Sequence, residues 1–424
     1  MKLLQRVRLI DPVGKIDRHC DVLIEDNRAS AIADEITEYP DDTEVISGEG
    51  LILGTGLVDL YSHSGEPGNE ARESLSDLAK AAAAGGFTRI GVLPDTLPRI
   101  DRQEVLAGVK QKAQSWSGLH FWGAVQTTAN DRMNELAELR SGVIGFCGEY
   151  SLANLGLFKQ VLEYIRPWGK TLAIALNCHE LAADGVVREG SASIRYGMPG
   201  NPRFSESAII AAILEIVAEI PTPIHIMRVS TKRGVELIGE AKAKGMPVTA
   251  STTWMHLLWN SDAVGSYDPN LRLEPPLGEQ KDQSALIAGI KQGTIDAIAI
   301  DHRAYTYEEK TVPFGLAPPG VVGLEIALPL LWQKLVESKK LSALELWQAL
   351  SSRPLHCWQQ QPKSISSGQI DLILFDPQKT WLANRENLQS PASNTPYYER
   401  QITGKLITNY FTGDSRVAPT NVSI

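Results

Sequence analysis

The spacing of hydrophobic positions changes period twice along this chain. Residues 1 to about 53 alternate apolar and polar positions in short runs, Leu3 to Ile10 and Cys20 to Glu25, broken by Asp-Pro, Gly and Asp-Asp signals. Period-two alternation between turn residues predicts strands. From about 54 onward, short apolar runs take turns with longer amphipathic stretches. Strands are predicted at Arg89 to Leu93, Gly142 to Phe146, Thr171 to Leu176, Pro223 to Val229, Pro247 to Thr252 and Ala297 to Ile300. Helices are predicted at Leu75 to Ala84, Ser205 to Ala218, Lys232 to Lys244 and Gln283 to Lys291, with Gly85-Gly86 as a helix-ending turn. Strands and helices alternating over so long a stretch point to an α/β fold, a (β/α)8 TIM barrel rather than an open sheet. The tail returns to strand character at Asp371 to Phe375 and Gln401 to Phe411. Two terminal β segments flanking a barrel pair most simply with each other. The expected organisation is therefore one small β-sandwich built from residues 1–53 and 366–424, with the barrel in 54–365.

Composition narrows the class. A chain of 424 residues, 43% of them hydrophobic, can bury a barrel-sized core and a smaller unit beside it. A net charge of −9 disfavours nucleic acid or an anionic membrane as partner, since both select a basic face. Cys20, Cys147, Cys178 and Cys357 form no C-x-x-C pair, so reduced thiols are expected rather than disulfides or a zinc knuckle. Met1 to Arg8 runs straight into strand-like alternation, and no run approaches the roughly 20 apolar residues of a membrane span. A cytoplasmic protein, assembled as a homo- or hetero-oligomer, is expected.

One stretch carries the chemistry: Gly56-Leu57-Val58-Asp59-Leu60-Tyr61-Ser62-His63-Ser64-Gly65-Glu66-Pro67-Gly68. It resembles, in frame, the metal-binding first strand of class I dihydroorotases, G-[LI]-[IV]-D-x-H-x-H-x-R-[ED]-P-G. Further landmarks follow the same family along nearly the whole chain: Leu93-Pro94-Asp95-Thr96, Asp184-Gly185-Val186 with Glu189-Gly190, Gly197-Met198-Pro199-Gly200, Val229-Ser230-Thr231, Pro275-Pro276-Leu277, Asp301-His302 and Asn394-Thr395-Pro396. The resemblance implies an amidohydrolase barrel with a β-sandwich, and the reversible cyclisation of carbamoyl-aspartate to dihydroorotate on zinc. Zinc would polarise the amide carbonyl and lower the pKa of a bound water to about 7, while an aspartate moves the proton.

Residue by residue, the family's ligand positions are mostly substituted. Tyr61 stands for the first histidine, and a phenol with a pKa of about 10 is a poor zinc ligand. His63 remains. The bridging acidic ligand falls in Phe146-Cys147-Gly148-Glu149, with Glu149 as its candidate. The family's V-H-C-E reads Leu176-Asn177-Cys178-His179, and the histidine before V-S-T is Arg228, a permanent cation that repels a divalent metal. Asp301 keeps the catalytic acid. At the positions that grip substrate, Gly65 replaces an arginine, Asp95 and Glu274 replace asparagines, and Tyr305 replaces a histidine.

Several arrangements fit these residues. Arg228 and Asp301 could close a buried ion pair where the metal would sit; His63 could be a satisfied barrel histidine; or His63, Glu149, His179 and Asp301 could form a rebuilt zinc site. His19, His120, His225, His256, His302 and His356 fall at no ligand spacing and read as structural or exposed. Three functions follow. The first is an inactive homologue, with no cofactor, acting as structural or regulatory partner of aspartate transcarbamoylase. The second is a cyclic amidohydrolase with an altered zinc site. The third is a protein binding a cationic or neutral small molecule through Asp95, Glu274, Asp301 and Tyr305.

Overall fold

The computed structural model describes residues 1–126, 132–176, 179–365 and 371–410. Eight strands, Leu57–Ser62, Phe87–Val92, Leu119–Ala124, Gly145–Tyr150, Leu172–Leu176, Ile224–Ile226, Val248–Thr253 and Ala297–Ala299, lie side by side in chain order. Every adjacent pair is parallel. The sheet curls into a nearly closed barrel, and the first and last strands meet through the Ile300 N–H, which donates to Asp59 Oδ1 at 2.8 Å. Beyond the strands, the His63 N–H donates to the His302 carbonyl at 2.8 Å.

Local sequence explains the outer helices. Leu75–Ala84 starts at Ser74, whose hydroxyl accepts the Asp77 N–H, and turns Leu75, Leu78, Ala79, Ala81 and Ala82 inward. It stops at Gly85, where any Cβ would come within 2.0 Å of the Leu324 carbonyl oxygen, so only glycine fits that approach. Gln280–Gln292 starts earlier than periodicity predicts because Glu279 and Asp282 close a capping box ahead of it.

Two strands differ from expectation in ways that matter for the site. The fourth runs Gly145–Tyr150 rather than Gly142 to Phe146, since residues 141 and 142 are spent in a turn that the Gly142 N–H closes on the Leu139 carbonyl. The sixth is only Ile224–Ile226, cut short because Arg228 adopts φ +55°, which ends extended backbone. The first strand carries a register shift between Asp59 and Ser62, and so Tyr61 joins Val58 and Leu60 in the barrel's inner apolar cluster instead of pointing away from Leu60. Trp122, Met227, Ala297 and Ala299 fill that interior, and Leu355, Cys357 and Trp358 belong to the same cluster.

Strands from both ends of the chain share a separate seven-stranded sheet. Lys2–Asp11 pairs antiparallel with Ile16–Glu25 and parallel with both Glu44–Ser47 and Ile52–Thr55. Leu372–Ala383 then adds antiparallel to Ile52–Thr55, with Leu372 opposite Thr55, and Arg400–Tyr410 adds to Leu372–Ala383. The predicted end of that last strand at Phe411 lies outside the described residues. No helix among the described residues is long and apolar enough to cross a membrane.

Asp59 gives a test of barrel closure. Its carboxyl is fully enclosed and accepts from Ser62 Oγ at 2.6 Å as well as from the Ile300 N–H. Burial pushes its pKa up to about 7, against those hydrogen bonds. A folded-state pKa raised above the unfolded value gives stability that is full below about pH 4 and falls as pH rises toward about 7. Urea denaturation across that window should show this decline in the wild type and a shallower one in Asp59→Asn, the remainder coming from Glu325, which burial also raises to about 7. An unchanged slope in the variant would assign the titration elsewhere.

Candidate functional site

The C-terminal ends of the barrel strands bring four of the singled-out residues into one hydrogen-bonded chain. Arg228, just past the sixth strand, forks onto Asp301, just past the eighth: Nε donates to Oδ2 at 2.7 Å and Nη2 to Oδ1 at 2.6 Å. His63, just past the first strand, lies with Nε2 3.2 Å from Arg228 Nη2 and 3.3 Å from Asp301 Oδ1. Its Nδ1 is 2.6 Å from Asp95 Oδ2. With the proton on Nδ1 donated to Asp95, Nε2 accepts from the guanidinium, and every member of the chain has a complementary neighbour. Both Arg228 and Asp301 hold left-handed backbone, at φ +55° and +52°, which turns their side chains toward each other across the mouth.

Tyr61 supports this fork from below. The guanidinium lies 5.2 Å from the centre of its ring. The phenol oxygen accepts the Arg228 backbone N–H at 3.0 Å and shares a 2.8 Å hydrogen bond with Ser251 Oγ, which also meets His225 Nε2 at 2.8 Å. Burial, then the Asp301 charge, keeps the Tyr61 phenol from ionising. Burial also opposes ionisation of Asp301, yet the charge and hydrogen bonds of Arg228 outweigh it and hold the carboxyl well below the ordinary range. Asp95 is likewise held low against burial by His63, Arg303 and Arg228. Arg228 is desolvated too, and Asp301 more than compensates, keeping the guanidinium charged.

Above the fork lies a cavity of about 660 Å³, and His63, Asp95, Glu149, Arg228, Glu274 and Asp301 all stand on its wall. Glu149 reaches it because the fourth strand is extended through Tyr150, placing Glu149 on the same side as Cys147. His179 is on the wall as well, at the start of the short helix His179–Ala182. Tyr61, Gly65 and Tyr305 are not among the wall residues. A Cβ at Gly65 would meet the Glu73 and Asn69 carbonyl oxygens at 2.5 and 2.6 Å. Tyr305 is 3% exposed, donates its hydroxyl to the Pro319 carbonyl and has Arg72, Arg303 and Lys310 around its ring. Asn177 lies outside the described residues.

Sequence reasoning missed Glu206. This buried glutamate accepts from the Ser230 and Thr231 N–H groups, each at 3.0 Å, and from both their hydroxyls, and thereby fixes the turn that follows Arg228. The available signal was an acidic residue in the first turn of the apolar helix Phe204–Glu219, with a Ser-Thr pair elsewhere to receive it.

Residues 50–233 match the family described as dihydro-orotase-like. A probable dihydroorotase-like protein of Synechocystis sp. is 40% identical over an alignment covering 95% of this chain and 98% of that protein. This chain belongs to the dihydroorotase-like family. A dihydroorotase of Syntrophus aciditrophicus is 32% identical, with 97% of this chain and 98% of the relative covered. The fold is shared with an L-hydantoinase (dihydropyrimidinase) from Arthrobacter aurescens, at a TM-score of 0.82 and 20% identity over 96% of this chain and 94% of that one.

Family membership implies a zinc centre, and the residues present do not fit one. Both oxygens of Asp301 are taken by Arg228, whose Nη2 also fills the approach to His63 Nε2. A dication would have to sit against this fixed guanidinium. Among the described residues no three His, Cys, Asp or Glu side chains gather closely enough to hold a metal ion. In this dihydroorotase-like chain the charge of Asp301 is balanced by an arginine.

Proposed function

We propose that this chain is a catalytically silent dihydroorotase homologue of the cytoplasm, in which a guanidinium has taken over the charge-neutralising role of the metal. The observation that carries this reading is the two-point contact of Arg228 on Asp301 beside His63. Opening a cyclic amide near neutral pH needs a strong nucleophile and a base to handle its proton. Asp301, the residue that would carry that proton, is held ionised far below the ordinary carboxylate range, which makes it a weak base. Asp95 and Glu274 stand where the family resemblance implies asparagines, and each is spent on an arginine of the same wall, Arg303 at 3.7 Å and Arg272 at 3.3 Å.

In line with the family resemblance, the role we assign is structural or regulatory, as a partner of aspartate transcarbamoylase. Elemental analysis and a dihydroorotase assay on one purified sample test the silent site: substoichiometric zinc and no turnover are expected. A zinc-loaded, active sample would overturn the reading in favour of an altered cyclic amidohydrolase. Co-elution with purified aspartate transcarbamoylase in size-exclusion chromatography tests the partnership separately, and separate elution at micromolar concentrations would remove it.

A further inference from the structure

The opposite end of the barrel holds a second recess, of about 540 Å³, in the size range of small-molecule sites. It gathers the N-terminal approaches of the third, fourth and fifth strands, at Leu119, Ile144 and Lys170, against Trp358, Gln359 and Gln360. Its wall carries Lys110, Lys170 and His120 and no aspartate or glutamate among the described residues. In a chain with net charge −9, an acid-free wall with two lysines is a local inversion of charge.

These cations are not neutralised by one another's neighbours. Neither Lys110 nor Lys170 forms an ion pair among the described residues. Lys170 Nζ donates to the Val143 carbonyl at 2.8 Å, a contact that supplies no charge. Nearby Arg140 lies over the Trp168 ring at 5.4 Å, and Arg89 reaches a carboxylate, Asp371, only at 3.9 Å. Burial first, then Arg140 and Lys110, lower the Lys170 pKa. Burial, then Arg89 and Lys110, bring His120 down to about 4, so its ring is neutral near pH 7. A further donor is present: Trp358 is 3% exposed, packs 5.5 Å from the His120 ring, and its indole N–H has no acceptor among the described residues.

We propose that this recess binds an oxyanion, the phosphate or carboxylate group of a small metabolite, between Lys110 and Lys170 with the Trp358 indole as an additional donor. An oxyanion supplies the charge that the wall lacks, and lysines bind it as mobile point charges. Barrel chemistry sits at the C-terminal face, so an occupant of this end acts as an effector rather than a substrate. Trp358 connects the two ends, because it belongs to the same apolar cluster as Tyr61, whose hydroxyl holds the Arg228 backbone. The inference goes beyond the silent mouth and stands independently of it.

Isothermal titration of the full chain with inorganic pyrophosphate, and separately with citrate, at matched ionic strength tests the site. Saturable binding of at least one is expected, weakening by about tenfold or more in Lys110→Gln/Lys170→Gln, as two charge-assisted contacts are lost. Trp358→Phe should weaken it by a smaller factor while keeping the packing. Preference for pyrophosphate assigns a phosphate ligand, and preference for citrate a carboxylate. No saturable heat with either anion, or equal affinity in a double variant whose melting transition matches the wild type, would overturn the proposal. Neither result depends on the zinc content or the hydrolysis assay, which decide the mouth alone.

Discussion

Arg228→Met lowers the stability of this protein by about 3 kcal/mol, the expected scale for stripping one partner from a buried, two-point ion pair. The side chains of Arg228 and Asp301 are 15% and 18% exposed, so water entering from the cavity replaces the lost guanidinium only in part, and Asp301 is left facing Asp95 across His63. The loss has a pH signature. Asp301 is depressed in the folded protein by Arg228 against burial. A depressed carboxyl contributes stability that is present above its unfolded value, about pH 4, and disappears as pH falls through the folded value. The gap between wild type and variant should therefore be widest near neutral pH and narrow in acid. Arg228→Met/Asp301→Leu should recover most of the loss, because exchanging both partners for apolar groups leaves no buried charge unpaired. Urea denaturation of the four proteins of this cycle, repeated in acid and at neutral pH, gives the coupling directly. A single variant as stable as the wild type at neutral pH would mean that the fork is not formed in solution.

Replacing Tyr61, Asn177 and Arg228 together by histidine should create zinc binding without dihydroorotate hydrolysis. The substitution removes the guanidinium, frees both oxygens of Asp301 and the Nε2 of His63, and adds imidazoles at the positions where the family resemblance implies metal ligands. Titration calorimetry should then show a stoichiometric zinc site absent from the wild type. Turnover is not expected, because Gly65 stands where the family resemblance implies the substrate-gripping arginine, and oriented binding supplies much of the rate. Gly65 cannot simply be returned to arginine, since its Cβ direction is filled by the Asn69 and Glu73 carbonyls. Zinc uptake accompanied by hydrolysis would show that Asp95 and Glu274 do not exclude substrate. No uptake by a folded triple variant would place the obstacle in the backbone, most directly in the left-handed turns at residues 228 and 301.

The ligand positions were legible one at a time and illegible together. That a tyrosine, an asparagine and an arginine stand where the family resemblance implies histidines is a reading of residue type, made from the frame around them. Which neighbour each would choose was not readable. Arg228 had carboxylates available at Asp95, Glu149, Glu274 and Asp301, all on one cavity wall. Its choice of Asp301 follows from two left-handed residues and from the Glu206 clamp on Ser230 and Thr231, and none of these has a local signature strong enough to predict. Tyr61 shows the same limit. Strict alternation sets it opposite Leu60, whereas the register shift before Ser62 turns it inward.

The sequence by itself determined the alternation of strand and helix, the β character of both ends, the family frame around His63 and Asp301, and the residue types, tyrosine and arginine, that stand at 61 and 228. All of these depend on residue type or short-range period, which local sterics and side-chain chemistry dictate wherever the segment ends up. The tertiary structure decided that Arg228 grips Asp301, that Glu149 reaches the cavity while Gly65 and Tyr305 stand off it, and that Lys110, Lys170, His120 and Trp358 meet at the far end. Those outcomes join segments as distant as Lys110 and Trp358, and they turn on bulges, strand lengths and positive-φ residues. A shift of one residue in a strand moves a side chain to the other face, so register, which only the closed barrel fixes, chose among partners the sequence left equal.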